Sequence, residues 1–177
     1  MIKKNKIKDL VIIDNKKYHD NRGYFSELLR AKETKKNFPF IVMSKSKKNV
    51  LRGLHIQTEN SQGKYVTVIK GKIFDVAVDL RKNSKTYGKF YSCILSEKNS
   101  KSIFIPEGFA HGFLTLDNEN YVVYACTKYR NSSSEKTIRY DDKDLKISWP
   151  IKNKKKIIIS KKDKIAPSLK EFLNVKK

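Results

Sequence analysis

Between Ile7 and Ile159 the chain is a succession of short β-type runs, each closed by turn residues, and this punctuation limits it to a β-sandwich or barrel. The runs are Ile7–Ile13, Phe40–Lys45, Val50–Gln57, Lys64–Lys70, Lys72–Leu80, Lys89–Leu95, Ser102–Ile105, Phe109–Leu116 and Tyr121–Lys128. Within Lys72–Leu80, Phe74, Val76, Val78 and Leu80 alternate with Ile73, Asp75, Ala77 and Asp79, so one strand face is apolar and the other mixed. Gly71 between two runs predicts a tight hairpin, because a residue without Cβ takes positive φ freely. Two short accessory helices are expected, one over Ser26–Lys36 and one after Pro167, where Leu169, Phe172 and Leu173 fall at helical spacing. Asn153–Lys156 reads as a basic connector.

A chain of 177 residues with no repeat or linker is expected to form one domain, 1–177, with a core that needs no staples. No apolar segment approaches the ~20 residues of a membrane helix, and Met1–Lys6 lacks the apolar centre of a signal peptide. The expectation is a cytoplasmic protein without a membrane partner. Cys93 and Cys126 are far apart and in no CxxC arrangement, so they read as reduced core thiols. The net charge of +22 suggests nucleic acid at first sight. The basic residues, however, are 34 Lys against 6 Arg, scattered along the whole chain, whereas nucleic-acid interfaces favour the bidentate guanidinium. Most of these lysines read as a solvated face whose field attracts anionic metabolites.

The chemistry concentrates around Val50–Gln57. On an extended strand Gly53, His55 and Gln57 point one way and Arg52, Leu54 and Ile56 the other, so Gly53 would leave room for a ligand beside the His55 base. The polar Glu59–Gly63 segment reads as a turn that brings Lys64 back beside His55. His19 lies in a polar, exposed turn, and His111 follows the loop Pro106-Glu107-Gly108-Phe109-Ala110. Two imidazoles and a carboxylate would suit a metal, but Gln57 stands where a metal-binding strand would carry its second histidine. Acid–base chemistry needs fewer groups. His55 can be the base, with a carboxylate such as Asp163 fixing its tautomer, and Tyr124 can be the acid, although a core aromatic on its strand is an equal reading of spacing alone.

Ordered blocks along nearly the whole chain resemble the dTDP-4-dehydrorhamnose 3,5-epimerase family. They are Asp20–Glu27, Arg52–Gln57, Gln62–Lys64, Gly71–Arg81, Ser84–Gly88, Leu95-Ser96, Ile105–Phe113, Tyr124–Tyr129, Asp141–Pro150 and Ser160–Asp163. The resemblance implies an all-β, cupin-type jelly roll acting as a homodimer on a nucleotide-diphosphate sugar, with no metal and no cofactor. It implies that a 4-keto-6-deoxy sugar is inverted at C3, C5 or both, with His55 as base, Asp163 orienting it, Lys64 on the enolate oxygen and Tyr124 as acid. It also implies Arg52 on the diphosphate with Arg22 from the other subunit, Phe25 and Glu27 crossing the dimer to the nucleobase, and His111, Tyr129 and Glu135 lining the substrate site.

The chain departs from the family pattern in two places. Phe40 and Val42 align where the family carries Gln and Asn facing the sugar, and Ala125 follows Tyr124 where Lys is usual. A more apolar sugar pocket follows, which changes the hydroxyls that can be recognised. A 3,4-ketoisomerase and a non-catalytic nucleotide-sugar binding cupin remain open as alternatives.

Overall fold

The computed structural model describes residues 2–4 and 6–174. In chain order its strands are β1 (Ile2–Lys4), β2 (Val11–Asp14), β3 (Lys17–Asp20), β4 (Gly23–Ser26), β5 (Phe40–Lys47), β6 (Val50–Gln57), β7 (Lys64–Lys70), β8 (Lys72–Asp79), β9 (Phe90–Ser96), β10 (Lys101–Ile105), β11 (Phe109–Thr115), β12 (Glu119–Cys126), β13 (Glu135–Thr137) and β14 (Ile158–Ile159). Three short helices accompany them: α1 (Ala31–Thr34), α2 (Lys161–Lys164) and α3 (Leu169–Asn174). No helix among the described residues is long and apolar enough to cross a membrane.

One sheet has the order β1-β2-β10-β7-β12-β5 and the other β13-β6-β11-β8-β9, with β14 parallel to the start of β6. The successive pairs β5/β6, β7/β8, β9/β10 and β11/β12 each place one strand in either sheet. This is the double-stranded helix of a cupin-type jelly roll. The hairpin expected at Gly71 does not form, because β7 and β8 pair in different sheets; Gly71 instead makes the sharp passage between them at φ +82°, where a Cβ would strike the Glu119 carbonyl and Asn120.

The two faces of β8 are used differently. Ile73 and Ala77 join Val66, Val68, Ile103, Phe113 and Val122 between the sheets, and Asp75 is buried on that same side chain alternation. Val76 and Val78, with Phe74 and Leu80 beside them, pack outward with Leu54, Ile56, Ile138, Leu145, Trp149, Leu169 and Phe172. The wholly apolar face of this strand therefore carries the C-terminal covering, and the mixed face lines the barrel. Asp142 fastens the covering, accepting the backbone N–H of Leu145 at 3.0 Å through Oδ1 and that of Leu169 at 2.8 Å through Oδ2.

Four further sequence expectations are corrected. The strand expected over Ile7–Ile13 is confined to Val11–Asp14, because Asp9 takes φ +69° and its carboxylate turns to Arg81. The helix expected over Ser26–Lys36 shrinks to Ala31–Thr34, since Gly23–Ser26 is claimed by antiparallel pairing with Lys17–Asp20. His19 consequently sits on a strand opposite Tyr24, still exposed, and the turn is at Asn21 and Arg22. Asn153–Lys156 contains one 3₁₀ turn at Lys154–Lys156, capped by the Asn153 side chain.

Candidate active site

Arg52 and His55 were expected on opposite faces of β6, but both line one cavity. The pairing with β11 explains this: His111 lies opposite His55 and Phe113 opposite Arg52, so three steps on β6 face two on β11. Such a bulge resets the alternation of side chains. Gly53 sits in it at φ +116°, and a Cβ there would lie 2.6 Å from Gly112 Cα and 2.7 Å from the His111 carbonyl oxygen. Gly53 therefore makes room for the neighbouring strand, not for a ligand.

The cavity holds about 450 Å³, a volume suited to a small organic ligand. The β6 and β11 walls bring Arg52, His55, Gln57, His111 and Phe113, and β7, β12 and β5 bring Lys64, Tyr124, Cys126, Phe40, Val42 and Ser44. His55 Nε2 lies 2.7 Å from Asp163 Oδ1, and Asp163 Oδ2 accepts the Gly53 N–H at 3.3 Å. Ser160 caps α2 by accepting the Asp163 N–H at 3.1 Å, which fixes the carboxylate's approach. Burial opposes ionisation of Asp163, but the bonds from His55 and Gly53 outweigh it and hold the carboxyl below its ordinary value. With Nε2 engaged, Nδ1 is the ring nitrogen left to take a proton.

Across the cavity, Tyr124 shares a 3.0 Å hydrogen bond with Ser44 Oγ. Burial pushes its phenol well above the ordinary value, so it stays protonated and available as a donor at neutral pH. Burial acts in the opposite sense on Lys64, lowering the affinity of its amine for a proton. His111 Nε2 is 2.8 Å from Asp75 Oδ2, and its ring meets that of Tyr124 edge-on at 6.3 Å. Arg52 hydrogen-bonds Ser46 Oγ through Nε at 3.2 Å and through Nη2 at 3.1 Å. At another edge, Glu135 takes Arg130 Nε and Lys162 Nζ, each at 2.9 Å. Against its burial, these two cations hold the Glu135 carboxyl at about 2.

Other residues singled out from the sequence lie elsewhere. Arg22 stands at the tip of the β3–β4 hairpin, paired with Asp20 at 2.7 Å, and Phe25 is exposed on β4. Glu27 pairs with Arg30. Tyr129 is exposed and packs on the cavity residue Phe40, ring centroids 5.6 Å apart. Ser44, Arg130 and Gln62 line the cavity without having been anticipated as site residues. Ser44 had a signal, since it continues the Phe40, Val42 alternation on β5. Arg130, beyond the end of β12, had none. Among the described residues no three His, Cys, Asp or Glu side chains converge as a metal-binding group.

A jelly roll with titratable side chains from both sheets lining an open cavity defines a cupin whose site is built from the protein's own acids and bases. The chain belongs to the dTDP-4-dehydrorhamnose 3,5-epimerase family, whose model matches residues 4–171. The epimerase of that name from Methanothermobacter thermautotrophicus is 45% identical over 173 residues, covering 95% of this chain and 94% of the relative. Its counterpart from Salmonella typhimurium is 43% identical over 180 residues, covering 96% of both chains. Among solved structures, dTDP-6-deoxy-D-glucose-3,5-epimerase from Legionella pneumophila in complex with dTDP-4-keto-L-rhamnose superposes with a TM-score of 0.92 at 41% identity, covering 96% of this chain and 93% of that one.

Proposed function

We propose that this enzyme inverts C3, C5 or both in a nucleotide-linked 4-keto-6-deoxy sugar, by removing a proton beside the ketone and returning one from the other face. The observation that carries this reading is that His55, from β6, and Tyr124, from β12, line the same cavity from opposite sheets, with Lys64 on the same lining. The C4 ketone acidifies the hydrogen on each flanking carbon. His55 Nδ1 takes that hydrogen as a proton, and the electron pair moves onto the ketone oxygen, where the Lys64 ammonium balances the enolate charge. The Tyr124 phenol then delivers a proton to the opposite face, the carbonyl re-forms and the stereocentre is inverted. Solvent returns a proton to the phenolate and removes one from the imidazolium. Arg52 suits the diphosphate, to which a guanidinium can bond bidentately.

The apolar side chains of Phe40 and Val42 on the β5 wall reduce the polar contacts available to sugar hydroxyls. The reading includes a homodimer, supported by Tyr18, Tyr24 and Phe25 exposed on the β3–β4 hairpin and Ile41 and Met43 exposed on the edge strand β5. A dimer would let Arg22, Phe25 and Glu27 reach a neighbouring subunit's ligand. The reading also takes the enzyme to be cytoplasmic, in keeping with the free thiols of Cys93 and Cys126.

The test is incubation with a panel of 4-keto-6-deoxy nucleotide sugars in deuterated water, followed by NMR. Deuterium at the carbons flanking the ketone, with inverted configuration, is the expected result, and the labelled positions tell one inversion from two. Migration of the ketone to C3 would mean a ketoisomerase. Folded protein that exchanges no hydrogen in any of these substrates would overturn the proposal.

A further inference from the structure

Lys64 is the first residue of β7, directly after the Glu59–Gly63 loop, and the loop is fixed at several points. The Gly63 N–H donates to Thr127 Oγ1 at 2.8 Å, and the Thr127 N–H donates back to the Gly63 carbonyl at 3.0 Å. The Thr127 hydroxyl donates its proton to Glu107 Oε1 at 2.9 Å. Lys36 Nζ lies 3.1 Å from Glu107 Oε2. The packing is equally close: a Cβ on Gly63 would stand 3.1 Å from Thr127 Cγ2 and 3.3 Å from Glu107 Cδ. Two further bonds tie the same loop, from the Gly108 N–H to Ser61 Oγ at 2.8 Å and from Gln62 Nε2 to the Lys128 carbonyl at 2.7 Å.

A hydroxyl has one proton to give. Because Glu107 takes the proton of Thr127, the oxygen lone pairs are turned to the Gly63 amide. Lys36 and the Glu107 backbone, acting with Thr127 against burial, hold the Glu107 carboxyl below its ordinary value, so it is a charged acceptor at neutral pH. Among the described residues no hydrogen bond or ion pair anchors the Lys64 ammonium in this way. Cys126 and the carboxylates of Glu135 and Asp75 act on it through space, so the direction of its ammonium depends on where the backbone sets the start of β7.

We propose that Thr127 and Glu107 are positioning residues for Lys64, clamping the backbone one residue before it so that the ammonium is delivered to the ketone oxygen of the substrate. This rests on the role given to Lys64 above. The clamp also joins three pieces of the site, since Glu107 precedes the strand of His111 and Thr127 follows the strand of Tyr124.

The experiment compares Thr127→Val, which keeps the shape and loses the hydroxyl, with Thr127→Ser, which keeps the hydroxyl, and with Glu107→Leu. Each is measured for kcat, KM and melting temperature, and for the NMR titration of the ¹³Cε-labelled Lys64 side chain, assigned against Lys64→Arg. Thr127→Val and Glu107→Leu are expected to lower kcat at least tenfold with KM changed less than threefold, and to move the Lys64 titration upward as its amine relaxes toward solvent. Thr127→Ser is expected to restore both readouts. Unchanged kcat and Lys64 titration in Thr127→Val would overturn the proposal, as would equal losses in Val and Ser variants that follow melting temperature. If the wild type turns over no 4-keto sugar, the functional reading fails instead, and the Lys64 titration alone decides the clamp.

Discussion

Asp163 holds the ring of His55 and the backbone of the strand that carries it at the same time, through Oδ1 at 2.7 Å from Nε2 and Oδ2 at 3.3 Å from the Gly53 nitrogen. The base and its carboxylate come from segments 108 residues apart. A single carboxylate thus ties the imidazole ring to the backbone of its own strand.

Replacing Asp163 with Asn is expected to lower kcat by about 10²- to 10⁴-fold, because an amide can turn its NH₂ toward the ring and stabilise the wrong tautomer. His55→Ala should abolish solvent hydrogen exchange to a similar extent. Steady-state kinetics and deuterium incorporation measure both. An Asn variant within threefold of wild type would remove Asp163 from the mechanism.

Ser44 and Tyr124 should separate by size of effect. Tyr124→Phe deletes the donor itself, so inverted product should nearly vanish while some exchange of substrate hydrogen with solvent, driven by His55, persists. Ser44→Ala removes one hydrogen bond that eases formation of the phenolate after proton delivery. The expected loss in kcat is roughly 2- to 10-fold, the worth of one net hydrogen bond. Product inversion and deuterium incorporation, followed in the same tube, distinguish the two variants.

Stability in acid should depend on Asp79, a carboxylate far from the cavity. It accepts Arg81 Nε at 2.9 Å, Ser84 Oγ at 2.6 Å and Thr86 Oγ1 at 2.7 Å, and has no exposed surface. Burial resists its ionisation, but these donors prevail and hold it at about 2, against an ordinary 3.8. A carboxyl depressed by folding stabilises the folded state above its unfolded value, and that contribution fades as pH falls from about 4 through 2. Roughly 2 kcal/mol should be lost over that window. Urea unfolding at pH 5 and pH 2 measures it, and the Asp79→Asn curve should be less stable at pH 5 and flatter with pH.

The parts of the fold that could be read in advance are those with local punctuation. β6 and β7 run over Val50–Gln57 and Lys64–Lys70 as expected because Asn49, the Glu59–Gly63 loop and Gly71 mark their ends. The Ser26–Lys36 helix was misread because its first residue belongs to a hairpin whose partner, Lys17–Asp20, competes through pairing that spacing does not register. Arg52 was assigned to the wrong face for a related reason. Alternation counts residues along one strand, and the bulge opposite His111 and Phe113 is a property of two. Ser44 went unnoticed although it shares the parity of Phe40 and Val42, while Arg130 lies between β12 and β13, where no period applies.

The C-terminal covering bears on how the proposed site is completed. Through Cys126 the polypeptide already contains the imidazole, the amine and the phenol, yet the carboxylate that orients the imidazole arrives only with the segment that wraps over β6 and β8. A barrel without that wrapping would be a receptacle with an unarmed base. The tail is therefore part of the proposed site as well as its cover, and loss of the covering layer and loss of the imidazole's partner are one event.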